Sequence, residues 1–233
     1  MASALSSVGA LRIAALTVTS IVLVQCSTPT PPPPAPTSPP SVTQTSPTSA
    51  IQPVTAADLG PSWHPGCPID PQDLRRVDVD YLGFDGQTHR GALIVNQDLT
   101  ADVVATFDQL LQLRYPIAKI RTVDTYPNAD DELSMEDNNT SAFNCRDIPG
   151  TGRWSPHAFG RAIDLNPLLN PYVDRTGAFQ PKTAAAYVDR NRTDPGLLRA
   201  GDPVVRLFTD RGWHWGGDWR TPKDYQHLSL IHI

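Results

Sequence analysis

Ser155-Pro156-His157-Ala158-Phe159-Gly160-Arg161-Ala162-Ile163-Asp164-Leu165 joins a turn to a strand. Proline and glycine break regular structure on either side of His157, and Gly160 permits tight backbone geometry. From Ala162 the residues alternate as on a half-buried strand, with Ile163 and Leu165 on the core face and Asp164 on the other. His157 and Asp164 stand seven apart across the turn, so imidazole and carboxylate can converge on one point. Downstream, Asp224-Tyr-Gln-His227 places a second acid and a second imidazole three residues apart, just before an apolar tail.

The flanking text is mixed in type. Val77-Asp-Val-Asp-Tyr81 alternates, as does the stretch around Leu93 and Val95. Asp85-Gly86 between them predicts a β-hairpin. Thr100 is expected to cap a helix with an apolar face of Val103, Val104, Phe107, Leu110 and Leu111, closed by Pro116. A strand is expected over Ile117–Val123 and a short helix over Thr183–Arg190. A further helix carries Val204, Val205, Leu207 and Phe208, entered at Pro203 and stopped by Gly212. Leu228–Ile233 reads as a last strand. Strands and helices follow no βαβ rhythm and no repeat is present, so the class is α+β.

Two imidazoles and one carboxylate (His157, Asp164 and His227) suit a catalytic zinc ion, whose fourth position stays open. Such an ion lowers the pKa of a water molecule and polarises a carbonyl. Peptide hydrolysis then needs a base to take the proton of that water, and Asp224 stands beside His227 for the task. From spacing alone, a surface turn with a capping carboxylate explains the same residues.

Ser-x-His-x-x-Gly-x-Ala-x-Asp, matched at every fixed position from Ser155 to Asp164, resembles the signature of the zinc D-Ala-D-Ala carboxypeptidases. Vancomycin-resistance dipeptidases and the L-alanyl-D-glutamate peptidases of phage endolysins share it. The resemblance spans roughly Tyr115 to the C-terminus. It implies His157, Asp164 and His227 as ligands of one Zn2+ per chain and Asp224 as the base. Many members have Glu where this chain has Asp224. The endolysin-like branch often uses Asp, and Trp215-Gly-Gly-Asp-Trp219 is similar to that branch too. The implied fold is a small, mainly antiparallel sheet with flanking helices and the zinc site at the sheet face, as in DD-peptidases and hedgehog-like domains.

The family also uses an arginine against a substrate carboxylate or the developing oxyanion. Arg146, eleven residues before His157, is the candidate here, with Arg121 as competitor, because the family's usual Tyr-Arg context is absent. Ser155 lacks the adjacent base that a nucleophile needs, so it reads as a hydrogen-bonding support or substrate contact. Trp215 and Trp219 are candidates for lining a substrate groove, with a core role as the alternative. His214 reads as a structural histidine.

The remainder of the 233 residues explains the composition. Net charge is −5 and offers no basic footprint, which argues against nucleic acid. Up to Ala57 the one charged side chain is Arg12, although the whole chain has 19 Lys+Arg and 24 Asp+Glu. The apolar run Ile13–Val24 suits the core of a secretory signal. Leu-Val-Gln-Cys26 resembles a bacterial lipobox, with Gln25 where a small residue is usual, so residues 1–26 read as a signal peptide with Cys26 as the lipidation site. Ten of the 24 prolines fall between Ser27 and Val54. Residues 27–57 therefore read as an extended Pro/Ser/Thr tether and 58–233 as the peptidase domain. Cys67 and Cys145 in an exported domain invite a disulfide. A cysteine hydrolase using Cys145 is the competing assignment.

The combined expectation is an extracytoplasmic, monomeric cell-envelope enzyme, held at the membrane by an N-terminal lipid or anchor and acting on peptidoglycan peptides. D-alanyl-D-alanine carboxypeptidase action by zinc-bound water comes first. L-alanyl-D-glutamate endopeptidase action and a non-catalytic zinc-containing wall-binding lipoprotein are the alternatives.

Overall fold

The computed structural model describes residues 51–231. The expected leader (1–26), the Cys26 lipidation site and the tether from residue 27 to residue 50 lie outside the described residues. Residues 51–57, expected in the tether, are folded. Ile51–Pro53 form strand β1, Val54 is buried, and Ala56–Leu59 form helix α1. A reciprocal pair caps α1: the Thr55 amide donates to Asp58 Oδ2 at 2.8 Å, and Thr55 Oγ1 accepts from the Asp58 amide at 3.3 Å. The folded chain thus extends ahead of the boundary expected at Asp58. Pro53 does not exclude a strand there, because an edge strand tolerates proline.

The predicted hairpin is present and longer than the motif suggested. β2 (Leu74–Leu82) and β3 (Thr88–Asn96) pair antiparallel over nine residues, with β1 on the outer edge of β2. Helix α2 (Thr100–Gln112) packs its Val103, Phe107 and Leu110 face on the hairpin's Val77, Val79, Leu93 and Val95. Each such apolar side chain contributes about 1.5–3 kcal/mol on burial. Thr100 is the first helical residue rather than the cap. Its hydroxyl donates to Gln97 O at 3.1 Å, and the turn Gln97–Leu99 is entered through Asn96, whose side chain accepts from the Asp98 amide.

Beyond α2 the strands are short. β4 (Lys119–Ile120) pairs parallel with β5 (Asn139–Thr140), with helix α3 (Asp131–Glu136) between them. The strand expected over Ile117–Val123 shrinks to β4, and past Ile120 the Asn139 side chain, not a further strand pair, satisfies the Arg121 backbone. That side chain accepts from the Arg121 amide at 2.8 Å and donates to Arg121 O at 3.0 Å. β6 (Asp147–Ile148) and β7 (Arg153–Trp154) form a small hairpin. β8 (Ala162–Asp164), β9 (Tyr172–Val173) and β10 (Phe179–Gln180) follow. The helix expected over Thr183–Arg190 is one 3-10 turn, Ala184–Tyr187. Helix α4 (Pro203–Thr209) starts at its proline as predicted. β11 (His214–Trp215), β12 (Lys223–Asp224) and β13 (His227–Ser229) complete the order.

The class is α+β, but the β structure is spread over several small sheets instead of one: β1-β2-β3, β10-β9-β12, β11-β13-β8 and two strand pairs. The central trio β11-β13-β8 buries Ile163 and Leu228 opposite each other. They join the same core as the hairpin, α2, Phe208, Trp213 and Trp215. Among the described residues, no helix is long and apolar enough to cross a membrane.

Candidate metal centre and cleft

Pairing in the central sheet brings the two predicted ligand segments together. His227 lies directly opposite Asp164 in the β13–β8 ladder. His157 arrives from the other side on a 3-10 turn, Pro156–Phe159, which Ser155 opens by accepting the His157 amide at 3.3 Å. Gly160 ends that turn in the left-handed region (φ +64°), and a Cβ there would lie 2.7 Å from the Asn96 amide nitrogen and 2.8 Å from Leu74 Cδ2. Only glycine lets the motif run so close to β3.

All three predicted ligands are buried. His157 Nε2 lies 3.1 Å from His227 Nδ1 and 3.2 Å from Asp164 Oδ2, while His227 Nδ1 lies 3.1 Å from Asp164 Oδ1. His157 Nδ1 donates to the Ala142 carbonyl, which can only accept, so the proton of the neutral ring sits on Nδ1 and Nε2 presents a lone pair. Asp164 is held far below the ordinary carboxylate range. Burial opposes this, but charge and hydrogen bonding from the His157 and His227 rings prevail, so positive charge is favoured at this point, from a ring proton or from a bound cation. Lone pairs brought this close repel unless a proton or cation lies among them. Donors about 2.0–2.1 Å from a tetrahedral ion would stand about 3.3 Å apart. The observed spacing and the two-nitrogen, one-oxygen donor set therefore fit a single divalent ion, and the group can hold one. A second cluster of metal-binding residue types, His64, Cys67 and Cys145, is tied up differently. Cys67 and Cys145 form a disulfide, so Cys145 has no thiol for a cysteine hydrolase.

Asp164 and His227 open into a cleft of about 1350 Å³ lined also by Asp224, Arg146, Ser155, Trp215 and Trp219, while His157 is buried beside them. Asp224 is in β12, opposite Tyr172 of β9. Burial pushes its carboxyl up to about 7 against the lowering effect of His227, and its Oδ1 has no partner among the described residues. Gly216 allows that placement, because a Cβ there would lie 2.5 Å from Asp224 O. Arg146 reaches the cleft and Arg121 does not, lining a separate pocket beside the β2–β3 turn. The Arg146 guanidinium is paired with Asp131 at 2.7 Å, and its Nε is buried without a partner among the described residues. Burial opposes its charge, but Asp131, Asp164 and Asp224 hold it firmly protonated.

Trp215 is at once core and cleft wall, its indole N–H donated to Tyr225 O at 2.8 Å. Trp219 is the more open of the two, its ring 5.5 Å from that of His227. His214 is exposed. Sequence reasoning missed the Ala142 carbonyl and Asp131. The first is a backbone atom without a residue-type signal, and the second is an ordinary acid in a helix first turn.

Residues 149–230 match the D-alanyl-D-alanine carboxypeptidase family. The matched segment, under half of the chain, contains Ser155, His157, Asp164, Asp224 and His227 and stops short of Arg146. It supports the superfamily of zinc peptidases acting on cell-wall peptides that the Ser155–Asp164 motif resembles. No curated protein and no solved structure matches the chain.

Proposed function

We propose that this chain is a zinc-dependent peptidase that hydrolyses peptidoglycan stem peptides and releases the terminal D-Ala of a D-Ala-D-Ala end. The observation that carries the reading is the convergence of His157 Nε2, His227 Nδ1 and the Asp164 carboxylate at 3.1–3.2 Å, where Asp164 and His227 line a cleft that also holds Asp224. Zinc bound by these three residues would polarise the scissile carbonyl and make a bound water acidic enough to lose a proton near neutrality. Asp224 takes that proton and returns it to the leaving amine, a role for which a carboxyl pushed up to about 7 is well matched. Arg146 supplies a fixed positive charge to the developing oxyanion or to the substrate carboxylate. Ser155 holds the His157 turn, and the Trp215 and Trp219 side of the cleft contacts the peptide. The same reading places the enzyme in the cell envelope, exported by residues 1–26 and held at the membrane through its N-terminal segment.

The cleft volume favours a second reading, L-alanyl-D-glutamate endopeptidase action. At about 1350 Å³ it exceeds the roughly 300–1,000 Å³ usual for small-ligand sites and suits a peptide that continues past the cleaved bond. One assay tests both. Full-length chain loaded with zinc is incubated with muropeptides, beside Asp224→Ala and chelated protein, and products are weighed by mass spectrometry. Loss of one D-Ala supports the first reading, and separation of L-Ala from D-Glu the second. If zinc binds at one equivalent and nothing is cleaved, the hydrolase reading falls and the non-catalytic zinc-containing alternative is the one left. General acid–base loss predicts that Asp224→Ala is slower by about 10²–10⁴.

A further inference from the structure

We propose that Asp131 is a positioning residue for Arg146, holding its guanidinium on the cleft wall so that it faces the scissile carbonyl instead of closing onto Asp224. This rests on the hydrolase reading above. Arg146 has a long, flexible side chain near two other carboxylates, Asp164 and Asp224, both of which favour its charge. A guanidinium free to choose would be drawn to the base and would lower its capacity to accept a proton. Asp131 Oδ2 takes Arg146 Nη2 at 2.7 Å and provides the competing partner.

Everything around the pair is already fixed. The amide of Cys145 donates to Ser62 O at 2.9 Å, its sulfur is bonded to Cys67, and the Ser155 amide donates to Arg146 O at 3.0 Å. These contacts tether the Arg146 backbone, and side-chain rotation is the larger freedom left. Asp131 is itself anchored. It opens α3, whose first turn is capped by Asp130 accepting the Leu133 amide at 3.0 Å, and its Oδ1 receives Asn144 Nδ2 at 3.5 Å. Both partners of the pair remain partly exposed, so the pair adds little to stability. What it adds is direction: with Nη2 held by Asp131, the cleft-lining guanidinium is kept from turning toward Asp224, and its buried Nε has no partner among the described residues.

The test uses zinc-loaded full-length protein with Asp131→Asn, Asp131→Glu, Arg146→Lys and the double variant Asp131→Asn/Arg146→Lys. The Nε–H cross-peak of Arg146 in a nitrogen-15 NMR spectrum, assigned by its loss in Arg146→Lys, reports the side chain directly. Kinetics on the cleaved muropeptide report the consequence. Asp131→Asn is expected to broaden or move the cross-peak and to lower kcat/KM about tenfold to a hundredfold. The same parameter, kcat or KM, should change as in Arg146→Lys, and the double variant should lose less than the product of the singles. Asp131→Glu should recover part of both signals, and melting temperatures should stay within a few degrees of wild type. An unchanged cross-peak with unchanged kinetics in Asp131→Asn overturns the proposal. So does a loss that multiplies with that of Arg146→Lys, since independent sites add. A displaced cross-peak in a protein that cleaves no muropeptide supports the anchoring of Arg146 and removes the hydrolase reading instead.

Discussion

His227 and Asp164 face each other across the β13–β8 ladder, with His227 Nδ1 3.1 Å from Asp164 Oδ1. The next pair along, Leu228 with Ile163, is fully buried. Site and core are thus set by one register. A one-residue slip would send Ile163 and Leu228 to the polar face and separate the two donors. The burial of the apolar pair holds the polar pair in line.

Removing a donor should abolish metal binding without unfolding the chain. His157→Ala leaves Asp164 and His227 paired in their ladder, so far-ultraviolet circular dichroism should be unchanged. After equilibrium dialysis, bound zinc should drop from about one equivalent per chain to a small fraction, since structural and catalytic zinc sites need at least three protein ligands. Retention of a full equivalent would place the metal elsewhere.

Gly160→Ala combines a left-handed backbone with a clash against β3. It should cost about 1–3 kcal/mol and weaken zinc binding as well, because the strained turn carries His157. Urea melts read the first effect and zinc titration the second. A fully stable variant with normal zinc affinity would show that the turn has room to move.

The Cys67–Cys145 bridge spans 78 residues and ties the segment after α1 to the residue before Arg146. Its loss in Cys67→Ser/Cys145→Ser should cost about 2–4 kcal/mol, mainly by freeing the unfolded chain. Calorimetry with and without reductant, on wild type and variant, measures it. Only wild type should respond to reductant.

In protein stripped of metal by chelation, Asp224 should impose a pH slope on stability. Burial pushes its folded-state pKa up to about 7, whereas in the unfolded chain it ionises near 4. Between about 4 and 7 the folded state binds the extra proton, so this group's contribution is fully present below about pH 4 and is lost as pH rises through about 7. Asp224→Asn removes the slope. Relative to wild type, the variant should gain stability from pH 4 to pH 8. Parallel thermal melts of the two proteins over that range would show that Asp224 is solvated in the apo state.

Much of the candidate site was legible because its residues are clustered in two short motifs. A ligand His and a ligand Asp seven apart, and an Asp–His pair three apart, need only local geometry to come close. The β2–β3 hairpin and the start of α4 were equally legible, since Asp85-Gly86 and Pro203 act on their own neighbours. Local patterns were a poor guide where a distant group satisfied the backbone. The Asn139 side chain satisfied the Arg121 backbone past Ile120, and Asn96 with its turn displaced Thr100 from the capping position. Ile51–Pro53 resembles tether in sequence because its only strong signal, a proline, does not distinguish an edge strand from a spacer.

By itself the sequence determined the chemistry on offer: two imidazoles, a carboxylate, a nearby acid and two cysteines, each with a local conformation dictated by neighbouring glycine, proline or apolar alternation. Tertiary structure alone decided which of them meet. Arg146 rather than Arg121 shares the cleft with Asp224, His157 takes its tautomer from Ala142, and Asp131 competes for the guanidinium. Those relations join residues from separate elements, and only the packing of one sheet register and one core brings such groups within hydrogen-bonding distance.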